Sequence, residues 1–156
     1  LVFSGAGTVR NCTFAENEAA GGEGFFGAAI VAHGEQAQDL EVSNCIFWNN
    51  RDAHEWTPMT CSVGNPSEPV PLPGTGNVQW PTLRNGPNEQ PDNACTIGTE
   101  FADALLSPLA DNGGLTPSML PAAGSPAFGI GSNCPATDQR GEPRPRGGCT
   151  AGSVEP

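Results

Sequence analysis

The side chains of this chain that could carry out chemistry are its carboxylates, its six cysteines and its two histidines. Carboxylates catalyse or bind calcium only when they cluster, either as a pair flanking a bond or as a cage of oxygen ligands. The sequence offers three loose groupings: an acidic turn at residues 16–23, His-Glu-Trp at 54–56 and Asp-Asn-Gly-Gly at 111–114. Each is more typical of a solvated turn than of a reaction centre. We therefore expect no catalytic residue, no cofactor and no metal, with calcium at 111–114 as the alternative.

The cysteines are spaced for crosslinking rather than for zinc. No C-x-x-C pair occurs, and neither histidine is spaced from a cysteine as in a zinc finger. Cys134 and Cys149 bracket a polar, proline-rich loop, whereas Cys61 and Cys95 bracket the least regular part of the chain. Closing loops of this size stabilises a fold by about 3 to 4 kcal/mol each in the chain-entropy description. The layout favours these two disulfides, in a protein of an oxidising compartment.

The two remaining cysteines, Cys12 and Cys45, occupy equivalent positions of an internal repeat. Residues 8–17, TVRNCTFAEN, return thirty-three residues later as EVSNCIFWNN at residues 41–50, with five of ten positions identical. Return of a motif at a fixed period is the sequence signature of a solenoid. Copies stacked in parallel register would bring the two cysteines to the strand spacing of about 4.8 Å. A third disulfide and two buried thiols both stay open, because cysteines stacked in parallel often give a poor S–S torsion.

The spacing within each copy predicts two short strands joined at an asparagine corner. Cys12 and Phe14 are two residues apart, as residues on one face of a strand must be, but the preceding valine is three residues from the cysteine. Asn11 lies between them, and asparagine tolerates the left-handed backbone conformation that bends a chain. We expect side-chain ladders of Asn11 with Asn44 and of Phe14 with Phe47.

One circuit of the chain is predicted to hold three short strands, the third within GAAIVA at residues 27–32, which is the plan of an all-β, right-handed parallel β-helix. All sixteen prolines fall at or after Pro58, and proline removes the donors of a strand ladder. We predict β-helix coils at 1–56, a proline-rich loop insertion at 57–93, and a final coil with a disulfide-stapled cap at 94–156. The insertion is expected to contain one short strand, GNVQW at residues 76–80. The cap is expected to cover the open end of the last coil, with Arg140, Arg144 and Arg146 pairing with acids on the coils.

Several motifs resemble known bacterial proteins. NCTFAEN, GAAI and NCIFWNN are similar to coils of parallel β-helix repeat proteins related to polymorphic outer-membrane proteins. Residues 94–156 carry PL-x-DNGG-x-TP at 108–117, GSPA at 124–127 and CPATDQRG-x-PRP at 134–145. They resemble the C-terminal region of choice-of-anchor Q domain proteins, although aspartates usual in that family after GSPA and after the last cysteine are missing here. The resemblance implies the C-terminal part of a secreted bacterial β-helix protein.

The amino-acid composition argues against several classes of partner. The net charge of −11, without any lysine, argues against nucleic acid as a partner, because binding phosphates needs a basic face. No run approaches the roughly 20 apolar residues of a membrane-spanning helix. Since the chain opens in a strand-like run and two copies are few for a solenoid, we expect further coils, a partner chain or a second copy to stack at the N-terminal edge.

We thus expect an extracellular or cell-surface structural or adhesive module that is not an enzyme. Two alternatives stay open. The first is a carbohydrate-binding module that uses Trp48, Trp56 or Trp80, because aromatic faces stack on sugar rings. The second is a polysaccharide lyase or glycoside hydrolase built on the same scaffold.

Overall fold

The computed structural model describes residues 1–19, 27–32, 39–52, 59–65, 68–84 and 90–156. Within these ranges the chain forms β-strands and no α-helix, which confirms the predicted all-β class. None of the described segments is a helix long and apolar enough to cross a membrane. The strands are β1 (Val2–Phe3), β2 (Gly7–Arg10), β3 (Thr13–Ala15), β4 (Glu18–Ala19), β5 (Ile30–Ala32), β6 (Leu40–Ser43), β7 (Ile46–Trp48), β8 (Arg51–Asp52), β9 (Cys61–Asn65), β10 (Glu68–Pro69), β11 (Val78–Trp80) and β12 (Glu100–Phe101).

Strands one repeat apart lie side by side and run parallel. β2 pairs with β6, placing Val9 opposite Val42, and β3 pairs with β7, placing Phe14 opposite Phe47. The sheet of β3 and β7 continues through β11 to β12, so a strand at Val78–Trp80, within the predicted 76–80, extends it. A separate sheet contains β1, β5 and β9 in parallel, with β10 antiparallel at its edge, and β4 pairs with β8. The pairs β2–β6, β3–β7 and β4–β8 all join residues thirty-three positions apart, which is the period of the repeat.

Residues in the left-handed conformation form the corner between the β2–β6 pair and the β3–β7 sheet. Asn11 has φ of 49° and Asn44 has φ of 56°, a conformation that asparagine adopts more readily than most side chains. In the next layer Gly76, with φ of 68°, takes the place opposite Asn44. Asn77 is thereby shifted into the interior, where its side-chain oxygen accepts the Cys45 amide at 2.8 Å. The corner is kept although the asparagine has moved by one residue.

The interior between the sheets is filled by the inward-facing side chains of successive layers. Val9, Cys12 and Phe14 of the first copy pack against it while remaining partly exposed. One layer further on, Gln79 replaces the phenylalanine opposite Phe47, and its side-chain oxygen accepts the Cys95 amide at 2.9 Å. The buried members of this core are Ala29, Ile30, Ala32, Leu40, Val42, Cys45, Phe47, Cys61, Val63, Leu72 and Cys95.

A second hydrophobic cluster lies on the outer face of the β3–β7–β11 sheet. Its buried members are Ile46, Val78, Ala104, Leu106, Met119, Ala127 and Ala151. The C-terminal tail supplies most of the cluster and reaches the first copy, where the Ser153 amide donates to Thr13 Oγ1 at 3.0 Å. This position differs from the predicted cap: residues 127–155 run along the side of the sheet, because its outer row of Ile46 and Val78 is apolar and needs cover.

The predicted pairing of the tail arginines with acids on the coils is contradicted. Arg140 pairs with Asp138 at 2.9 Å, and Arg144 pairs with Glu155, so both acids belong to the tail itself. Arg146 is exposed. The physical reason is burial: the Arg144 side chain is only 2% exposed, and a buried guanidinium needs a closely held carboxylate.

Candidate functional site

The four N-terminal strands form an open edge, since each of β1, β2, β3 and β4 is hydrogen-bonded on one side only among the described residues. In a parallel pair, the N–H groups of successive residues point alternately toward and away from the neighbouring strand. Asn11 N–H donates to Ser43 O at 3.1 Å, so the N–H of Val9, two residues earlier, also points toward β6. The N–H groups of Thr8 and Arg10 therefore point out of the edge, where a further strand could accept them.

Burial at this edge differs between the two copies of the repeat. Val42 and Phe47 of the second copy are 0% exposed, whereas their counterparts Val9 and Phe14 are only half-buried. Nearby in the β1 layer, Val2 is 63% exposed. Equivalent inward-facing side chains are thus fully buried where strands lie on both sides and only partly buried where strands lie on one side. A further layer on the open edge would bury them.

The predicted ladder residues lie directly beside one another. The Phe14 and Phe47 rings are stacked with centroids 5.2 Å apart and planes at 6°. Asn44 Nδ2 donates to Asn11 Oδ1 at 3.3 Å and to Ser132 O at 2.7 Å. The asparagine ladder therefore joins the two copies of the repeat and also anchors the C-terminal tail, a second role that the sequence did not indicate.

Two of the three tryptophans lie side by side on the outer face. Trp48 is opposite Trp80 on neighbouring parallel strands, and both are half-buried. Trp48 Nε1 donates to Asp103 Oδ1 at 2.9 Å, so its only donor is engaged within the protein. Trp56 lies outside the described residues.

Four cysteines form two disulfides. Cys61–Cys95 links residues separated by 34 positions, with Cα atoms 5.2 Å apart. Cys134–Cys149 closes the tail loop, with a Cα–Cα distance of 6.4 Å. Cys12 and Cys45 are free thiols. The sequence is compatible with either state of this pair, and in the structure both residues are reduced.

A cavity of about 390 Å³ opens where the first copy of the repeat meets the tail. Arg10, Cys12 and Thr13 line one side of this cavity, and Asp138 and Arg144 lie on the tail side. Arg10 is anchored by Glu41, with Nη2 and Oε1 3.3 Å apart and both side chains well exposed. The cavity therefore brings a cysteine, arginines and a carboxylate together from elements that are more than a hundred residues apart.

The free cysteines differ in burial and in acidity. Cys45 is 0% exposed, whereas Cys12 is half-buried. A hydrogen bond from the Cys45 side chain lowers the pKa of Cys12 from 9.0 to about 7, outweighing the opposite effect of burial. The same hydrogen bond and burial raise the pKa of Cys45 well above 9.0. One thiolate, on the accessible cysteine, is the favoured charged state of the pair.

Next to this cavity, a network of buried charges fixes the tail. Glu155 accepts the Thr150 amide at 3.1 Å and the Thr150 hydroxyl at 2.7 Å, besides pairing with Arg144. Burial raises the pKa of Asp138, but the hydrogen bonds donated by the Glu155 amide and by Arg140 outweigh it, so the pKa is lowered overall. The turn-forming sequence 138–141 did not reveal this network, because its partners come from residues 150–155.

The loose acidic groupings of the sequence show no ligand cage. Across the described ranges, no three His, Cys, Asp or Glu side chains are grouped as metal ligands would be. Asp111 Oδ1 accepts the Gly113 amide at 3.1 Å, and Asn112 Nδ2 donates to Ser118 O at 2.7 Å, so this run builds a turn. His33 and the run at 54–56 lie outside the described residues.

Comparisons with family models, with curated proteins and with solved structures find no match for this chain. The resemblance to choice-of-anchor Q domain and β-helix repeat proteins therefore depends on the sequence motifs alone.

Proposed function

We propose that this chain is a structural or adhesive assembly module whose open N-terminal edge accepts the strands of another coil of the same kind. The observation that carries the proposal is the contrast at equivalent positions: Phe47, with a layer on each side, is fully covered, whereas Phe14, with one neighbouring layer, is not. Burying an apolar side chain of this size yields about 1.5 to 3 kcal/mol. Covering the first layer would therefore favour association.

The architecture that fits this function is a right-handed parallel β-helix. The parallel pairs β2–β6, β3–β7 and β4–β8 repeat at thirty-three residues, and β1–β5 and β5–β9 repeat at a similar spacing. Parallel strands joined by crossovers are right-handed in about 98% of cases. A solenoid of this kind grows by adding layers, and its ends are edges that other strands can extend.

An extracellular or cell-surface location agrees with the covalent chemistry. The two disulfides are typical of proteins from oxidising compartments, and an acidic, lysine-free surface agrees with a solvated exterior. The resemblance of residues 94–156 to the choice-of-anchor Q domain supports the same location. We therefore place this module in the class of secreted bacterial surface proteins.

A single substitution can block the open strand edge without disturbing the fold. The N–H of Thr8 points away from β6, so a Thr8→Pro substitution should remove an outward donor while keeping the β2–β6 hydrogen bonds. Thr8→Ala is the matched control, because it removes the same side chain and keeps the N–H. Far-UV circular dichroism and thermal unfolding of both variants check that the fold is intact.

Analytical ultracentrifugation over a wide range of concentration provides the test. We expect the wild type and Thr8→Ala to associate with increasing concentration and Thr8→Pro to remain monomeric. A wild-type chain that is folded and monomeric at every concentration would contradict the proposal. So would association of Thr8→Pro to the same extent as Thr8→Ala.

A carbohydrate-binding function is the second candidate, favoured by the placement of Trp48 opposite Trp80 on adjacent strands. Two indoles carried on one outer face by strands about 4.8 Å apart could support a sugar ring by stacking. Titration of tryptophan fluorescence with neutral and acidic polysaccharides tests it, with Trp80→Ala as the variant. A flat response in the wild type would remove this candidate.

A further inference from the structure

The free pair Cys12 and Cys45 has no part in strand addition, yet it is held in a defined geometry. Arg10 lies opposite Ser43 before the pair, and Thr13 lies opposite Ile46 after it. The Ile46 amide donates to Cys12 O at 2.9 Å, which ties the backbones of the two layers together between the cysteines. Their Cα atoms are therefore separated by about the strand spacing of 4.8 Å, within the range that a disulfide spans.

Each thiol lies against a backbone carbonyl of its own copy of the repeat, and the Cys45 thiol also approaches a carbonyl of the first copy. Cys45 Sγ lies 3.3 Å from Ser43 O in its own layer and 3.9 Å from Val9 O in the layer of Cys12. Cys12 Sγ lies 3.2 Å from Arg10 O. The core already contains one disulfide, Cys61–Cys95, between residues 34 positions apart whose Cα atoms are 5.2 Å apart. A second bridge of this kind fits the same interior.

The two cysteines differ in accessibility. Cys12 lines the cavity of about 390 Å³, a size typical of pockets for small molecules, whereas Cys45 is fully buried behind it. A small reagent can therefore reach the half-buried Cys12 before the fully buried Cys45. Arg10 at the cavity wall favours a reagent that carries carboxylates.

We propose that Cys12 and Cys45 form a thiol–disulfide exchange site that reacts with low-molecular-weight disulfides, with Cys12 as the nucleophile and Cys45 as the resolving thiol. The Cys12 thiolate attacks one sulfur of the reagent, forming a mixed disulfide, and the other half leaves as a thiolate that takes a proton from water. Cys45 then loses its proton to water and attacks Cys12 Sγ. The mixed disulfide breaks, the second half leaves as a thiol, and the Cys12–Cys45 bond forms.

The balance of this sequence is simple. Two protein thiols are oxidised to one disulfide, and one reagent disulfide is reduced to two thiols. The lowered pKa of Cys12 supports the first step, because the thiolate is the attacking species and is populated near neutral pH. The raised pKa of Cys45 keeps that thiol protonated until Cys12 has reacted, so the order of the two steps follows from the site itself.

The result of the reaction would be a covalent bond between the first and second copies of the repeat. It would fix the outermost layer to the layer beneath it, next to the open edge. The proposal does not depend on the assembly function, because it concerns a single chain. The Thr8→Pro variant, expected to be monomeric, can serve as the background for every measurement.

The test uses Ellman's reagent, an aromatic disulfide that carries carboxylates, on the folded protein with its two disulfides intact. For the wild type we expect release of two equivalents of the coloured aromatic thiolate and a product that has lost two hydrogen atoms and carries no adduct. For Cys45→Ser we expect one equivalent and a stable mixed disulfide on Cys12. For Cys12→Ser we expect the reaction to be at least about 10-fold slower, because the remaining thiol is buried and has a raised pKa.

Two results would overturn the proposal. One is a stable adduct on the wild type in the amount seen for Cys45→Ser, which would mean that Cys45 does not resolve the mixed disulfide. The other is a reaction of Cys12→Ser as fast as that of the wild type. Peptide mapping of the wild type after brief exposure gives an answer that needs no variant: the first adduct must be on Cys12, and an adduct first on Cys45 contradicts the assigned order.

Discussion

Stacking of the two phenylalanines predicts an energetic coupling that can be measured. Phe47 is fully buried, so Phe47→Ala should lower the free energy of unfolding by about 4 kcal/mol. Phe14 is half-buried, and Phe14→Ala should cost about half as much. Because the ring centroids are 5.2 Å apart and the ring planes are nearly parallel, the double variant should be more stable than the sum of the single losses implies, by about 0.5 to 1.5 kcal/mol.

Urea denaturation of the wild type, the two single variants and the double variant measures this coupling. Met119→Ala provides a matched control, because Met119 belongs to the outer cluster and not to the interior. Phe14→Ala combined with Met119→Ala should be additive within about 0.5 kcal/mol. Additivity of Phe14→Ala with Phe47→Ala, at a precision that resolves that amount, would refute the stacked arrangement of the two copies.

Three further predictions concern acidity and backbone fit. Cys45→Ala should return the pKa of Cys12 from about 7 toward 9.0. At pH 7 this change lowers the amount of thiolate roughly 50-fold but makes the remaining thiolate about 8-fold more nucleophilic, so alkylation by iodoacetamide should slow about 6-fold. An unchanged pH profile of alkylation would contradict the hydrogen bond between the two cysteines. Because the pKa of Asp138 is lowered, the unfolded chain takes up the proton first as the pH falls, so the free energy of unfolding should decrease below about pH 3.8. Asp138→Asn should be less stable than the wild type by about 3 kcal/mol at neutral pH and should show a smaller decrease at acid pH. Urea unfolding measured over a range of acid pH values tests both expectations. Gly74→Ala should lower the free energy of unfolding by about 3 kcal/mol or more, because the added Cβ would overlap a backbone carbonyl of β6. Gly98→Ala, also at positive φ but in open space, should lower it by only about 1 kcal/mol. Equal shifts in melting temperature for the two variants would contradict the close approach of Gly74 to β6.

The repeat made part of the fold predictable. Two identical copies of an N-C-x-F motif determine which faces are alike, so the pairing of Phe14 with Phe47 follows from period two along a strand. The corner could be placed because Asn11 and Asn44 belong to the few residue types that tolerate positive φ. In the third layer the register was harder to read, since Gly76 takes the corner and Asn77 moves inward.

The path of the C-terminal tail could not be predicted from the sequence. Its contacts join residues such as Ser153 and Thr13, separated by 140 positions, and contacts of that kind leave no periodic signal. The cavity was missed for the same reason, because Arg10 and Arg144 reach it from opposite ends of the chain. The tail was assigned to the end of the coil because an open end needs cover, but the apolar outer row of Ile46 and Val78 needs cover as well.

The most direct test of the central claim, that copies thirty-three residues apart lie in adjacent parallel layers, is a nuclear Overhauser spectrum of the chain with labelled phenylalanine. Rings with centroids 5.2 Å apart predict strong cross-peaks between Phe14 and Phe47, together with a change in the Phe14 ring shifts when Phe47 is replaced by leucine. Absence of these cross-peaks in a folded sample, with Phe14 shifts unchanged in the Phe47→Leu variant, would contradict the layered fold and the open edge derived from it.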